Sequence, residues 1–416
     1  MFKMRVPFSK PDLTRAEADA VAYVVNSGQL SLGQFVPRFE RALARFVGAQ
    51  GGAAVSSGTA GLHLALLGLG LKPGQHVITT PLSFVASANV ILHSGAVPVF
   101  VDVERDTGNI SPDEIRFLID QNYQQDDNGN LIHKKTRARL WGILPVHLFG
   151  YPCKMDEISD IATEFNLKVV EDACEALGST FYSANLKKWV HPGALSDAAV
   201  FAFYPNKQIT TGEGGMVLSN SLELMSRIKC LRNQGRREED KWLVHEEIGY
   251  NYRMDEMSAV LGLMQMRRIE TMRAKRQKVA ERYDSLLSDI DELELPPWQE
   301  WSRVNPFVYA VRLLVPGRDS LMDYLASVGI DTRPYFTPIH LQPAFRRAFG
   351  FGPGRFPVAE ELGSITVALP FHNNLKESEM QYVVNHIKRW LVLRERIYTR
   401  RRESEQAEEV AETHHG

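Results

Sequence analysis

The chain has 416 residues, 44% of them hydrophobic and 24% charged, with a formal net charge of −2. That is the make-up of a globular protein of two or three domains, and it offers no basic field for nucleic acid or an anionic membrane. The longest nearly apolar run, 61–71, contains His63 and is too short to span a bilayer. Cys153, Cys174 and Cys230 are an odd, widely spaced set that fits neither a disulfide framework nor a metal site. The charged N-terminus lacks a following apolar segment, so the expectation is a cytoplasmic protein without a secretion signal.

In chain order, Thr14-Arg15-Ala16-Glu17 has the form of a capping box, with Val21, Val24 and Val25 after it and Gly28 as a natural stop. Phe35, Phe39, Leu43 and Phe46 fall on one face of a second helix. Residues 53–60 open directly into a helical run at 61–67. Strand-like segments at 77–80, 97–103, 141–146, 168–171 and 200–204 then alternate with helices at 84–93, 112–119 and 155–165, the pattern of an α/β domain with a mixed, mostly parallel sheet. The polar stretch 121–139 interrupts this rhythm and reads as an exposed insertion, a solvated loop without function. From 255 a long helical pattern runs to 288, and Pro296-Pro297 mark a linker. A strand at 307–315 and helices at 318–328 and 378–390 make a smaller α+β unit. The expected division is a large α/β domain at 1–254, a connecting helix and smaller C-terminal α+β domain at 255–395, and a flexible Arg- and Glu-rich tail at 396–416.

Chemistry-bearing residues gather at strand ends. Lys207 follows the apolar run 200–204 and precedes the turn-rich Thr210-Thr211-Gly212 and Gly214-Gly215. An amine held between apolar walls has its charged form penalised and becomes a nucleophile toward carbonyls; a surface lysine on a hairpin loop is the alternative. Ser57-Gly58-Thr59 at the mouth of a helix fits a phosphate nest and fits an ordinary N-cap equally. Glu171 and Asp172 end a buried strand on opposite faces. An inward Asp172 calls for a cationic partner such as a pyridinium N–H, although it also suits a helix cap. Phe84 covers a flat ring or belongs to the core. The order of these four, each at its own strand–helix junction, matches a pyridoxal phosphate (PLP) site.

Six stretches carry a family resemblance: 57–63, 81–89, 145–150, 171–176, 206–215 and 249–255. They resemble, in order, the motifs of the DegT/StrS nucleotide-sugar aminotransferases of the fold type I PLP class, and the resemblance runs from about residue 7 to residue 390. It implies that Lys207 attaches the cofactor covalently, Asp172 pairs with the pyridine nitrogen, Phe84 stacks on the ring and Glu175 lies near the ring hydroxyl. Gly58 and Thr59 hold the phosphate, and Asn251 reaches it from the second subunit of a homodimer with shared active sites. Many members have serine at the position of Ala202, so one phosphate contact is expected to be missing. Tyr335 and His340 are implied near the sugar, and His147 reads as a tie between loops.

The implied substrates are glutamate and a nucleotide-linked keto sugar, with 4-keto-6-deoxy sugars favoured by Ile209-Thr210-Thr211-Gly212-Glu213-Gly214-Gly215, and the implied setting is polysaccharide biosynthesis. A 3-keto sugar aminotransferase, a PLP-dependent sugar dehydratase and a non-catalytic regulator of the same fold are the alternatives. The dehydratases have histidine where this chain has Lys207.

Overall fold

The structure is a computed structural model that describes residues 4–237 and 244–413, with side chains as far as 396. Seven strands form the central sheet: β1 (Gly51–Val55), β2 (His76–Thr79), β3 (Val97–Phe100), β4 (Leu140–Leu144), β5 (Lys168–Asp172), β6 (Ala198–Ala202) and β7 (Gly215–Ser219). Their order is β1-β7-β6-β5-β4-β2-β3. Pairs β2·β3, β2·β4, β4·β5 and β5·β6 are parallel, whereas β7 runs antiparallel to both β1 and β6. The sheet is therefore mixed and mostly parallel, as expected.

Strand side chains alternate between faces, and both faces of this sheet are covered. Val200 and Val217 pack with Leu62, Leu66 and Ile228 on one side. Their neighbours Phe201, Met216 and Leu218 pack with Phe39, Leu43 and Ala259 on the other. Burial on both faces explains why these strands read as unbroken apolar runs instead of alternating patterns. Burying a side chain such as Val200 or Phe201 stabilises the fold by roughly 1.5–3 kcal/mol, so the sheet is a rigid platform for what its edge presents. The register sets Val200 beside Asp172, which brings the carboxyl ends of β5 and β6 level. At that same edge β7 begins where a Cβ on Gly215 would lie 2.5 Å from the Ser57 carbonyl oxygen, so only glycine allows this approach.

A second sheet of three strands (Leu293–Glu294, Tyr309–Leu313, Thr366–Leu369) packs with the helix Arg318–Ser327 and the C-terminal helix. Tyr283, Tyr309, Val311, Leu321, Val383 and Ile387 are its buried centre. Among the described residues no helix is long and apolar enough to cross a membrane.

Several expectations change. Residues 51–55 form edge strand β1 before the helix Gly58–Gly68 begins; the small, glycine-rich run hid its strand character. The insertion 121–139 is an anchored hairpin, Tyr123–Gln125 with Leu131–His133. Tyr123 and Leu131 are buried against Ile115 and Ile119, and the Tyr123 hydroxyl lies 2.7 Å from His76 Nδ1. The pattern 255–288 is two helices, Glu256–Met266 and Ile269–Leu287. A third sheet, Thr180–Ser183 with Lys188–Val190 and Ser302–Arg303, was not anticipated. The final helix, expected to end at 390, runs Glu377–Thr413, through a Glu- and Arg-rich segment that favours helix. Of the expected tail, 414–416 lie outside the described residues.

The break between those two helices has an electrostatic use. Arg268 turns to Asp12 and Glu17 at the N-terminal end of the chain. Burial pushes Glu17 up, but hydrogen bonds from Thr14, Arg268 and Gln265 outweigh it and hold the carboxyl at about 2. Asp12 is likewise raised by burial and brought down to about 2 by Lys275, Asn373 and Arg268. Both folded values lie below the ordinary ones of 4.5 and 3.8. The stability they contribute is therefore complete above those ordinary values and is lost as pH falls toward 2. Arg268→Ala is expected to raise the acid-unfolding midpoint by about 0.5 in pH, measured by circular dichroism; an unchanged midpoint would show that Lys275 and Asn373 suffice.

Candidate active site

A cleft of about 420 Å³ opens at the carboxyl ends of β1, β5 and β6, where open α/β sheets place ligands. Ser57, at the end of β1, caps the helix Gly58–Gly68 by accepting a hydrogen bond from Ala60 N at 3.1 Å. The first-turn N–H groups of Gly58 and Thr59 have no intrahelical partner and border the cleft. A Cβ on Gly58 would sit 2.8 Å from both Ala202 Cβ and Cys174 Sγ. Glycine thus lets the helix end press onto β6, and Ser57 is the N-cap that the sequence allowed.

Asp172 ends β5, is 6% exposed and lines the cleft. Its Oδ2 accepts from Ser87 Oγ at 2.7 Å and its Oδ1 from Cys174 N at 3.1 Å. The second bond closes a local turn, since residues 173–179 form turns and not the helix that a cap would need. The first is a long-range brace from the helix Ala86–His93, so the carboxylate is locked in one orientation. Phe84 is 61% exposed at the rim, which removes the simple core reading of that ring.

Lys207 lies on the turn after β6, its N–H donating to Tyr204 O at 2.9 Å. Its side chain is only 14% exposed. Nζ stands 3.4 Å from Glu175 Oε1 and 3.9 Å from the centroid of the Phe307 ring. Glu175 is held from the other side by Phe149 N, which donates to Oε2 at 2.8 Å. Burial pushes the Glu175 carboxyl up, and Lys207 and the Phe149 N–H oppose it.

Lys207, Asp172, Glu175, Gly58, Thr59, Phe84 and Tyr335 all line this one cleft. Tyr335 stacks on Phe307, with centroids 6.2 Å apart and planes at 10°. His340 does not join them: it is fully buried behind Phe356, its Nε2 3.0 Å from Glu360 Oε1. Asn251 also lies outside the cleft, bridged to Asn233. His147 ties loops, as expected. Cys153 N donates to its Nδ1 at 2.9 Å, which leaves Nε2 to donate to Glu171 Oε2 at 2.7 Å.

Ser87, Tyr204, Asn206 and Phe307 line the cleft without having been singled out. Ser87 and Asn206 stand within the quoted stretches 81–89 and 206–215; only contact with Asp172 and proximity to Lys207 distinguish them. Phe307 comes from the far side of the chain, and no local pattern announces it.

This sheet, with an amine, a strand-end carboxylate and a helix N-terminus at one edge, is the arrangement of fold type I PLP-dependent enzymes. The model of the DegT/DnrJ/EryC1/StrS aminotransferase family matches residues 11–388, and the chain belongs to that family. A GDP-perosamine synthase of Caulobacter vibrioides is 34% identical over 393 residues, 93% of this chain and 99% of that protein. The crystal structure of DesV of S. venezuelae superposes with a TM-score of 0.81 at 30% identity, covering 93% of this chain and 98% of that one. A putative sugar aminotransferase of Streptococcus pneumoniae in its PLP form gives 0.81 at 26% identity, over 92% and 98%.

The residues present fit pyridoxal 5′-phosphate, the cofactor of this family. The cleft holds an enclosed amine, a braced acid, an exposed aromatic ring, and a helix end whose glycine admits nothing larger.

Proposed function

We propose that the chain moves an amino group from glutamate to a keto sugar carried by a nucleoside diphosphate, with a 4-keto-6-deoxy sugar as the favoured acceptor. The observation that carries this reading is Lys207, an amine enclosed in the cleft beside Glu175 with Asp172 on the same wall. Lysine at 207 speaks for transamination over dehydration, and the relative named GDP-perosamine synthase supports a sugar on a nucleotide.

PLP, when bound, supplies an aldehyde to carry the amino group and an electron-poor ring that stabilises negative charge beside it. Lys207 Nζ is the attachment point and, once released, the base and acid that moves a proton within the cleft. Glu175, whose Oε1 is 3.4 Å from that amine, would lie near the ring hydroxyl. Asp172, oriented by Ser87, would hold the ring N–H. Gly58 and Thr59 would hold the phosphate, and Phe84 would close one face of the ring against water. Tyr335 borders the space left for substrate. Asn251, outside its own chain's cleft, is assigned to the partner's site in a homodimer with shared active sites, and the enzyme is placed in the cytoplasm.

UDP-, GDP- and dTDP-linked keto sugars offered with glutamate test this directly. One of them should yield an amino sugar, with the new amine located at C4 by NMR. An amine at C3 would overturn the favoured acceptor, and no product with any sugar would overturn the reading. Sedimentation should show a dimer; a fully active monomer would remove the role given to Asn251.

A further inference from the structure

A second, much smaller chamber shares Asn206 and Lys207 with the cleft and is walled by Gln208, Arg276, Phe371 and His372. About 10 Å³ within it is open to the centre of a water-sized sphere, room for about one water. Its lining carries buried polar atoms without a protein partner: Asn206 Oδ1, Gln208 Oε1 and both ring nitrogens of His372. Gln208 and His372 are 2% and 4% exposed, so bulk water does not serve them, and unpaired groups at such depth are costly.

The amide orientations are set by other bonds. Gln208 Nε2 donates to the carbonyls of Glu175 and Asn305, which turns Oε1 the opposite way. Asn206 is hydrogen-bonded to Tyr335. The residues lining the chamber therefore carry two unpartnered amide oxygens and one imidazole. Burial holds His372 below its ordinary pKa, with Arg276 and Lys10 acting the same way and Glu379 against them. A neutral ring has one N–H to give. One water serves three of these four atoms, with two O–H groups for the two amide oxygens and a lone pair for the ring N–H, and leaves the second ring nitrogen unpartnered. Asp12, which also lines the chamber, is engaged by Arg268, Lys275 and Asn373. A cation would meet Arg276, Lys10 and Lys207, and an anion would face the Asp12 carboxylate and two amide oxygens.

We propose that this chamber binds one ordered water joining His372 to Asn206 and Gln208, which makes His372 a positioning residue for Lys207 and Tyr335. His372 follows the strand Thr366–Leu369 of the smaller sheet, so the water pins the Lys207 turn to that unit. The positioning role rests on the aminotransferase reading; the water site does not.

A high-resolution crystal structure of the full chain tests the site. It should show one water about 3 Å from a His372 ring nitrogen, from Asn206 Oδ1 and from Gln208 Oε1. A dry chamber, or His372 bonded directly to either amide, would overturn it whatever reaction the chain performs. For the positioning role, His372→Leu in the cofactor-loaded protein should lower kcat about tenfold with KM within about twofold. It should also shift the pH midpoint of the cofactor's visible absorbance, and His372→Gln should restore most of both. Unchanged kcat and midpoint in the leucine variant, or no rescue by glutamine, would overturn that role.

Discussion

Lys207→Ala is expected to abolish transamination, with kcat falling at least about 10³-fold, because the same amine is both attachment point and proton carrier. Among the described residues Lys207 is the one lysine that lines the cleft. The fold should survive. The Lys207 side chain contributes an ion pair to Glu175 and a contact with the Phe307 ring, neither of which belongs to the sheet core. Losing the pair leaves Glu175 buried opposite nothing cationic, a cost of about 1–3 kcal/mol that protonation of the carboxyl relieves. Circular dichroism should match the unaltered protein, and the turnover assay should read zero. Turnover within tenfold of the original would remove Lys207 from the chemistry.

Asp172→Asn is expected to have the next largest effect, a fall in kcat of about 10²-fold or more. The substitution keeps size and shape but replaces a carboxylate by a neutral amide at the point where the ring N–H would be held. With the amide oxygen kept toward Cys174 N, the new NH2 group would face the Ser87 hydroxyl, which can turn to accept from it, so the change is electrostatic and not a collapse of the wall. Ser87→Ala leaves the charge and removes only its brace, and should cost about tenfold. If Asp172→Asn and Ser87→Ala fell equally, orientation would outweigh charge at this position. Cofactor uptake followed by absorbance separates lost binding from lost turnover in both variants.

Much of this site was legible because it is built from short local patterns at consecutive strand ends. Lys207, Asp172 and the Ser57–Thr59 turn each sit at a junction where an apolar run stops, and the sheet brings those junctions to one edge. What stayed hidden depends on distance along the chain. Phe307 meets Lys207 across 100 residues, and the Ser87–Asp172 bond spans 85. β1 was missed because Gly51, Gly52, Ala53 and Ala54 carry too little side chain to mark a strand, although pairing with β7 makes them one. The hairpin at 123–133 rests on two apolar residues, Tyr123 and Leu131, too few to outweigh the polar residues around them. His340 shows the reverse case: implied near the sugar by resemblance, it lies buried outside the cleft with its Nε2 hydrogen-bonded to Glu360.

Whether Lys207 carries the cofactor can be asked most directly by treating the PLP-loaded protein with borohydride, digesting it and mapping the modified peptide by mass. The mass of the reduced cofactor should appear on Lys207, with the absorbance of the yellow protein lost at the same time. A cofactor adduct on any other lysine, or none at all on protein that binds PLP, would contradict the assignment.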